Sequence, residues 1–330
     1  MSKAIPMVEL WRGGILESTH SGHAVICDER GDIVQSWGDP SRIMFPRSSC
    51  KMVQALPLLE SGAADRFGLT SKQIALSCAS HQGEALHVNM ARDWLTGLDM
   101  GEADLRCGAH EPYDKTERNR LITDHEAPCQ LHNNCSGKHS GFLTLNKHLG
   151  GDSEYTEVDH PLQRAIRQAT EEVADETAAG FGIDGCSAPN FAISMHGLAR
   201  SMAKFAAASD GGNTREKAMY RLTRAMTAHP ELVAGDGRAC TELMHAMDGR
   251  VALKTGAEAV FIAIIPEQKL GLAIKIEDGS SRASEAVLAA LLSRIGVLNE
   301  QHPLAQKRLP APQINCRGKQ TGELRISASL

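Results

Sequence analysis

Ser48 and Lys51 stand three residues apart in Arg47-Ser-Ser-Cys-Lys51. On a helix, positions i and i+3 share a face, so a hydroxyl and an amine can reach hydrogen-bond distance. Serine is a weak nucleophile and needs a base. Lysine serves as that base only when burial, nearby cations or the positive end of a helix dipole destabilise its ammonium form. The pattern alone is weak. Ser201-Met-Ala-Lys204 repeats it inside what reads as an ordinary helix, and the commonest meaning of an isolated match is a helix cap followed by a solvated lysine.

Lys254-Thr-Gly256 occurs once, just ahead of a strand pattern. A serine–lysine helix start followed far downstream by Lys-Thr-Gly is the order found in penicillin-recognising serine hydrolases, where that strand borders the cleft opposite the nucleophile. Ser80, in SCASHQGE, is either a second hydroxyl of such a site or the cap of the next helix, and capping is the plainer reading. Thiolate and imidazole are the usual ligands of zinc, so type and spacing nominate Cys135, His139 and Cys240. No Cys-x-x-Cys pair reinforces that choice.

These residues need elements to position them. Apolar alternation on either side of Asp28-Glu-Arg-Gly31 predicts a hairpin of 24–27 with 33–37. Helical periodicity predicts one helix over 48–60 and a short helix from Thr70-Ser71 to Cys78. Further helices are expected over 84–98, 160–176, 196–208, 215–229, 238–247 and 284–295. Stretches 133–141 and 182–190, rich in Gly, Asn and Ser, read as breaks. Strands return at 258–265 and 270–276 as a hairpin, with one more in GELRIS near the end. Strands at both ends and helices between them predict an α/β (α+β) fold: an antiparallel sheet built from both termini, with a helical lobe inserted in the middle. The expected organisation is a single catalytic domain, 1–330, of two lobes. The mixed lobe takes 1–70 and 238–330, and the helical lobe 71–237.

Composition narrows the function. The 330 residues carry 35 Lys plus Arg against 40 Asp plus Glu, which leaves no basic excess to bind nucleic acid or an anionic membrane. No stretch has the length and apolarity of a signal peptide or membrane span, so a cytoplasmic location is expected. Nine cysteines in such a chain suggest buried thiols, reactive thiols or metal ligands in place of a disulfide framework.

Taken together, FPRSSCKMVQALPLLESGAADRFGL, LSCASHQGE, NNCSGKHSGFL, DGCSAPNFAISM and ALKTGAEAVF resemble the rhizobial-type (class 3, asparaginase II-like) L-asparaginases almost end to end. The resemblance implies a serine β-lactamase-like fold shared with serine-dependent glutaminases, a homodimer, and hydrolysis of L-asparagine to L-aspartate and ammonia. It implies two serine–lysine tandems, Ser48 with Lys51 and Ser80 with Lys254. It also implies zinc held by Cys135, Lys138 and Cys240, which sets His139 aside as a direct ligand. In this reading Ser48 attacks the amide, Arg47 meets the substrate α-carboxylate, and Asp184 and His139 orient the cysteine–lysine cluster or the substrate. Zinc then positions substrate more than it activates water. The alternatives are a glutaminase or a penicillin-recognising hydrolase of the same fold, or a non-catalytic protein in which zinc is structural. The Ser-Asp-Asn triplet expected of a β-lactam target is missing.

Overall fold

A computed structural model describes residues 3–309 and 311–330. The chain forms two compact units: Met1–Ser49, Ile193–Ala207 and Glu242–Leu330 make the first, and Cys50–Ala192 with Ala208–Thr241 make the second. The boundary expected near residue 70 thus falls after Ser49, and the 193–207 segment belongs with the sheet instead of the helical lobe.

The strands in chain order are β1 (Ile5–Arg12), β2 (Ile15–Cys27), β3 (Ile33–Trp37), β4 (Ile43–Met44), β5 (Gly180–Ile183), β6 (Pro189–Ser194), β7 (Ala252–Gly256), β8 (Val260–Ile265), β9 (Leu270–Ile276), β10 (Ala311–Ile314) and β11 (Gln320–Ile326). In the first unit the order across the sheet is β10-β11-β1-β2-β9-β8-β7, with β3 paired to β2. Every pairing is antiparallel. The sheet therefore joins both ends of the chain, as the sequence led us to expect. Every residue of β8 is buried, so the middle of the sheet is covered on both faces. The helices Met195–Ala207 and Ser281–Ile295 pack on β8 and β9 to provide this cover. That demand explains why Val260-Phe-Ile-Ala-Ile-Ile265 is apolar throughout instead of alternating. Strand β1 and the first half of β2 went unread, because the exposed Ile15 and Leu16 interrupt any alternation there.

The second unit is mainly helical. Ser71–Ser77 starts at a Thr70–Gln73 capping box, as expected. The single helix expected over 48–60 is instead a 3-10 turn, Arg47–Cys50, followed by short helices Lys51–Gln54 and Leu56–Glu60. Pro57 has no N–H to donate back along a continuous helix, and the break precedes it. The stretch 133–141, read as a break, supplies the start of the buried helix Ser136–Leu149. Its glycines are there for packing: a Cβ on Gly137 would lie 2.5 Å from the Leu76 carbonyl oxygen. The helix thereby sits almost backbone to backbone on Ser71–Ser77. The stretch 182–190 spans the end of β5, the turn 184–188 and the start of β6, the turn closed by Asp184 N–H donating to the Ala188 carbonyl at 2.9 Å. Among the described residues, no helix is long and apolar enough to cross a membrane.

Candidate active site

In the first unit, Ser48 lies in the 3-10 turn Arg47–Cys50, half-buried. Arg47, just before it, has φ 54°, a left-handed conformation that a long side chain adopts only at a cost of order 1–3 kcal/mol. Ser49 closes the turn, with its N–H at 3.2 Å and its hydroxyl at 2.7 Å both donating to the Pro46 carbonyl. Strand β7 runs directly against this turn. A Cβ on Gly256 would lie 2.7 Å from the Pro46 carbonyl oxygen and 3.0 Å from Ser49 N. Only glycine lets the strand approach so closely. Residues i and i+2 of a strand share a face, so Lys254 leaves β7 on the face that meets the serine turn. Its side chain is fully buried, and its ammonium donates to the Thr255 carbonyl at 2.8 Å.

In the second unit, Lys51 opens the helix Lys51–Gln54 and is 1% exposed. Its Nζ donates to the Ala79 carbonyl and lies 3.1 Å from Cys135 Sγ. Ser80 follows Ala79 directly and is buried, its N–H donating to the Val233 carbonyl at 2.9 Å. It does not cap the next helix, Ala85–Thr96, whose N-cap is Glu84. The capping reading of Ser80 is therefore set aside. Ser201 is structural as expected, its hydroxyl donating to the Gly197 carbonyl one helical turn back.

Around Cys135 the buried groups form one electrostatic assembly. Lys138 sits one turn further along the helix, with Nζ 3.0 Å from Cys186 Sγ and 5.0 Å from the centre of the Phe142 ring. Cys135 Sγ donates to Asn134 Oδ1 at 3.1 Å. Its proximity, with Lys138 and His139, lowers Cys186 well below the ordinary thiol range against the effect of burial. The same interaction, followed by burial, pushes Cys135 well above that range. Burial alone would lower the Lys138 ammonium, but Cys186, Cys135 and Asp184 together raise it. The shifts run in opposite senses, Cys186 towards the thiolate and Lys138 towards the ammonium, with Lys138 Nζ 3.0 Å from Cys186 Sγ. His139 is fully buried, and burial lowers it to about 4. Its Nδ1 meets the Tyr155 hydroxyl at 2.9 Å, while Nε2 makes no sound hydrogen bond although the ring lies close enough to favour the Cys186 thiolate.

Cys186 was missed in the sequence because it stands alone in a turn, with no spacing that ties it to Cys135. It is the sulfur the fold brings to Cys135 and Lys138. Among the described residues no three of His, Cys, Asp and Glu are grouped to hold a metal ion. Cys240 is buried at the start of the helix Ala239–Ala246. As a donor set, Cys135, Lys138 and Cys186 supply two sulfurs and an amine, and they would fit zinc once the thiols and the lysine have given up their protons.

The chain belongs to the L-asparaginase II family, whose model matches residues 8–326. It is a hydrolase of the asparaginase type. No curated protein matches it. Among solved structures it is similar to a β-lactamase from Mycobacterium bovis, at 12% identity and a TM-score of 0.45, over 83% of this chain and 94% of that one. It is also similar to an octameric penicillin-binding protein homologue from Pyrococcus abyssi, at 13% identity and a TM-score of 0.37, over 90% of this chain and 80% of that one.

Proposed function

We propose that this protein hydrolyses L-asparagine to L-aspartate and ammonia, with Ser48 as nucleophile and Lys51 as base. The observation that carries this reading is the contact of the Lys-Thr-Gly strand with the turn that bears Ser48, made possible by Gly256. Ser48 Oγ attacks the side-chain amide carbon and gives its proton to Lys51. The lysine passes the proton to the departing nitrogen, ammonia leaves, and water hydrolyses the aspartyl ester. Backbone N–H groups stabilise the oxyanion, that of Ser48 being one candidate. The second pair, Ser80 and Lys254, relays protons. Arg47 pairs with the substrate α-carboxylate.

Cys135, Lys138 and Cys186 are the residues that would hold zinc, with Asp184 and His139 orienting them. A bound zinc would supply positive charge that fixes the substrate in place. A homodimeric state belongs to the same proposal and rests on the family resemblance, and a cytoplasmic location remains the expectation drawn from the sequence.

A site that anchors the α-groups and the amide together fixes the chain length between them. One extra methylene would displace the carbonyl from the serine, and a shift of about 1 Å costs on the order of a hundredfold in rate. The test is ammonia release from asparagine and glutamine, beside ring opening of a β-lactam. Asparagine should lead glutamine clearly in kcat/KM, and the lactam should stay intact. Equal values for the two amides would make the protein a glutaminase, and lactam turnover would make it a penicillin-recognising hydrolase.

A further inference from the structure

One group of side chains in the second unit has no part in amide hydrolysis. The 3-10 turn Gln130–His132 folds the His132 ring back towards Cys129. Its Nδ1 accepts the Cys129 backbone N–H at 3.0 Å and lies 3.2 Å from Cys129 Sγ. That backbone donor fixes Nδ1 as an acceptor, so the ring proton sits on Nε2, 3.4 Å from Glu117 Oε1. Hydrogen bonds from Arg120 outweigh burial and hold the Glu117 carboxyl below its usual range, keeping it ionised. The result is a thiol, an imidazole and a carboxylate in a row. The His132 and Glu117 side chains are only 6% and 8% exposed, whereas Cys129 is half-buried. Cys129 lines a cavity of about 420 Å³, a size suited to a small molecule. Arg92, Arg120, Glu117 and Glu126 share that lining, Arg120 paired with Glu117 at 2.8 Å and with Glu126 at 3.0 Å, so it carries both signs of charge.

We propose that Cys129 is a reactive thiol that undergoes thiol–disulfide exchange with a small zwitterionic disulfide, with His132 accepting its proton and Glu117 orienting the ring. Nδ1 accepts the Cys129 backbone N–H, so it takes the thiol proton only as that hydrogen bond is released and the new bond forms. Cys129 Sγ attacks one sulfur of the bound disulfide while its proton passes to Nδ1. The ligand's S–S bond breaks and a mixed disulfide forms on Cys129. The other half leaves as a thiolate, takes the proton from His132 and departs as a thiol. Cys129 is oxidised and the leaving half is reduced, so the step balances without another reagent.

Cys316 serves as the internal reference, because it is the exposed cysteine of the chain. The folded protein is treated with glutathione disulfide, and the mixed disulfide at each cysteine is followed by peptide mass mapping. Cys129 should react about tenfold or more faster than Cys316 despite its lower exposure, because attack tracks proton removal as well as access. In urea the two rates should converge, and His132→Asn, shown folded by circular dichroism, should lose most of the difference. A wild-type Cys129 no faster than Cys316, or an undiminished rate in the folded His132→Asn protein, overturns the proposal. Cystamine, a cation, and dithiodiglycolate, an anion, should both react more slowly at Cys129 than cystine, whose two ammonium and two carboxylate groups cancel; equal rates for the three would refute the zwitterionic class.

Discussion

The two units prepare their buried lysines by different physics. In the first, Lys254 is set by backbone packing: β7 comes against the serine turn because Gly256 carries no side chain. In the second, Lys138 is set by charge, its ammonium form favoured by Cys186 and Cys135 despite full burial. A site built from close backbone contact tolerates changes of pH and fails on a change of volume. A site built from a buried ion pair tolerates small changes of shape and fails when one partner is removed or neutralised. The proposed chemistry draws on both, so each can be broken separately.

Removing the nucleophile should have the largest effect. Ser48→Ala should reduce kcat by about a thousandfold or more while leaving the melting temperature close to wild type, since the half-buried hydroxyl packs little. Near wild-type kcat in steady-state ammonia assays would remove Ser48 from the mechanism. Gly256→Ala comes next. The added methyl would meet the backbone at Pro46 and Ser49, so β7 or the turn must shift. The expected loss is about 1–3 kcal/mol in denaturant unfolding and on the order of a hundredfold in kcat/KM. Wild-type stability and activity together would show that the contact is not needed.

The charge-built cluster should respond in affinity more than in turnover. Cys186→Ser should lower zinc content sharply and raise KM, while retaining more of kcat than Ser48→Ala does. Cys240→Ser should keep its metal. Metal analysis of the two variants decides the ligand: retention in Cys186→Ser with loss in Cys240→Ser would restore the assignment the resemblance implied.

The smallest effect concerns pH. Burial holds His139 at about 4 and His81 well below its ordinary value. Unfolded histidine titrates near about 6.5, so between there and about 4 the unfolded chain binds more protons and stability falls as pH drops. The melting temperature should decline from about pH 6.5 downwards, and His139→Gln should flatten that slope. A slope unchanged in the variant would show that His139 does not contribute.

How much of this was legible in sequence differs along the same lines. Lys-Thr-Gly and the Ser48–Lys51 spacing are contiguous motifs whose order survives folding. The hairpin β8–β9, the Thr70 cap and the helix Ser281–Ile295 announce themselves by local periodicity. Cys186 could not be read, because its partners Cys135 and Lys138 lie some fifty residues away and only the β5–β6 turn brings it to them. The helix Ser136–Leu149 was hidden for a related reason. Gly137 and Gly141 look like breakers, yet they are small because Leu76 and Ser77 press on them. Tertiary packing there overrides local propensity. The broken helix at 48–60 was readable in principle, since Pro57 marks it.

The central claim is a covalent aspartyl ester on Ser48, and trapping it is the most direct test. Enzyme turning over saturating L-asparagine is quenched in acid within milliseconds, digested and mapped by mass spectrometry. The account predicts a single aspartyl group on the peptide containing Ser48, absent in Ser48→Ala. An ester on Ser80, or none on any residue while the unquenched sample releases ammonia at its full rate, would contradict it.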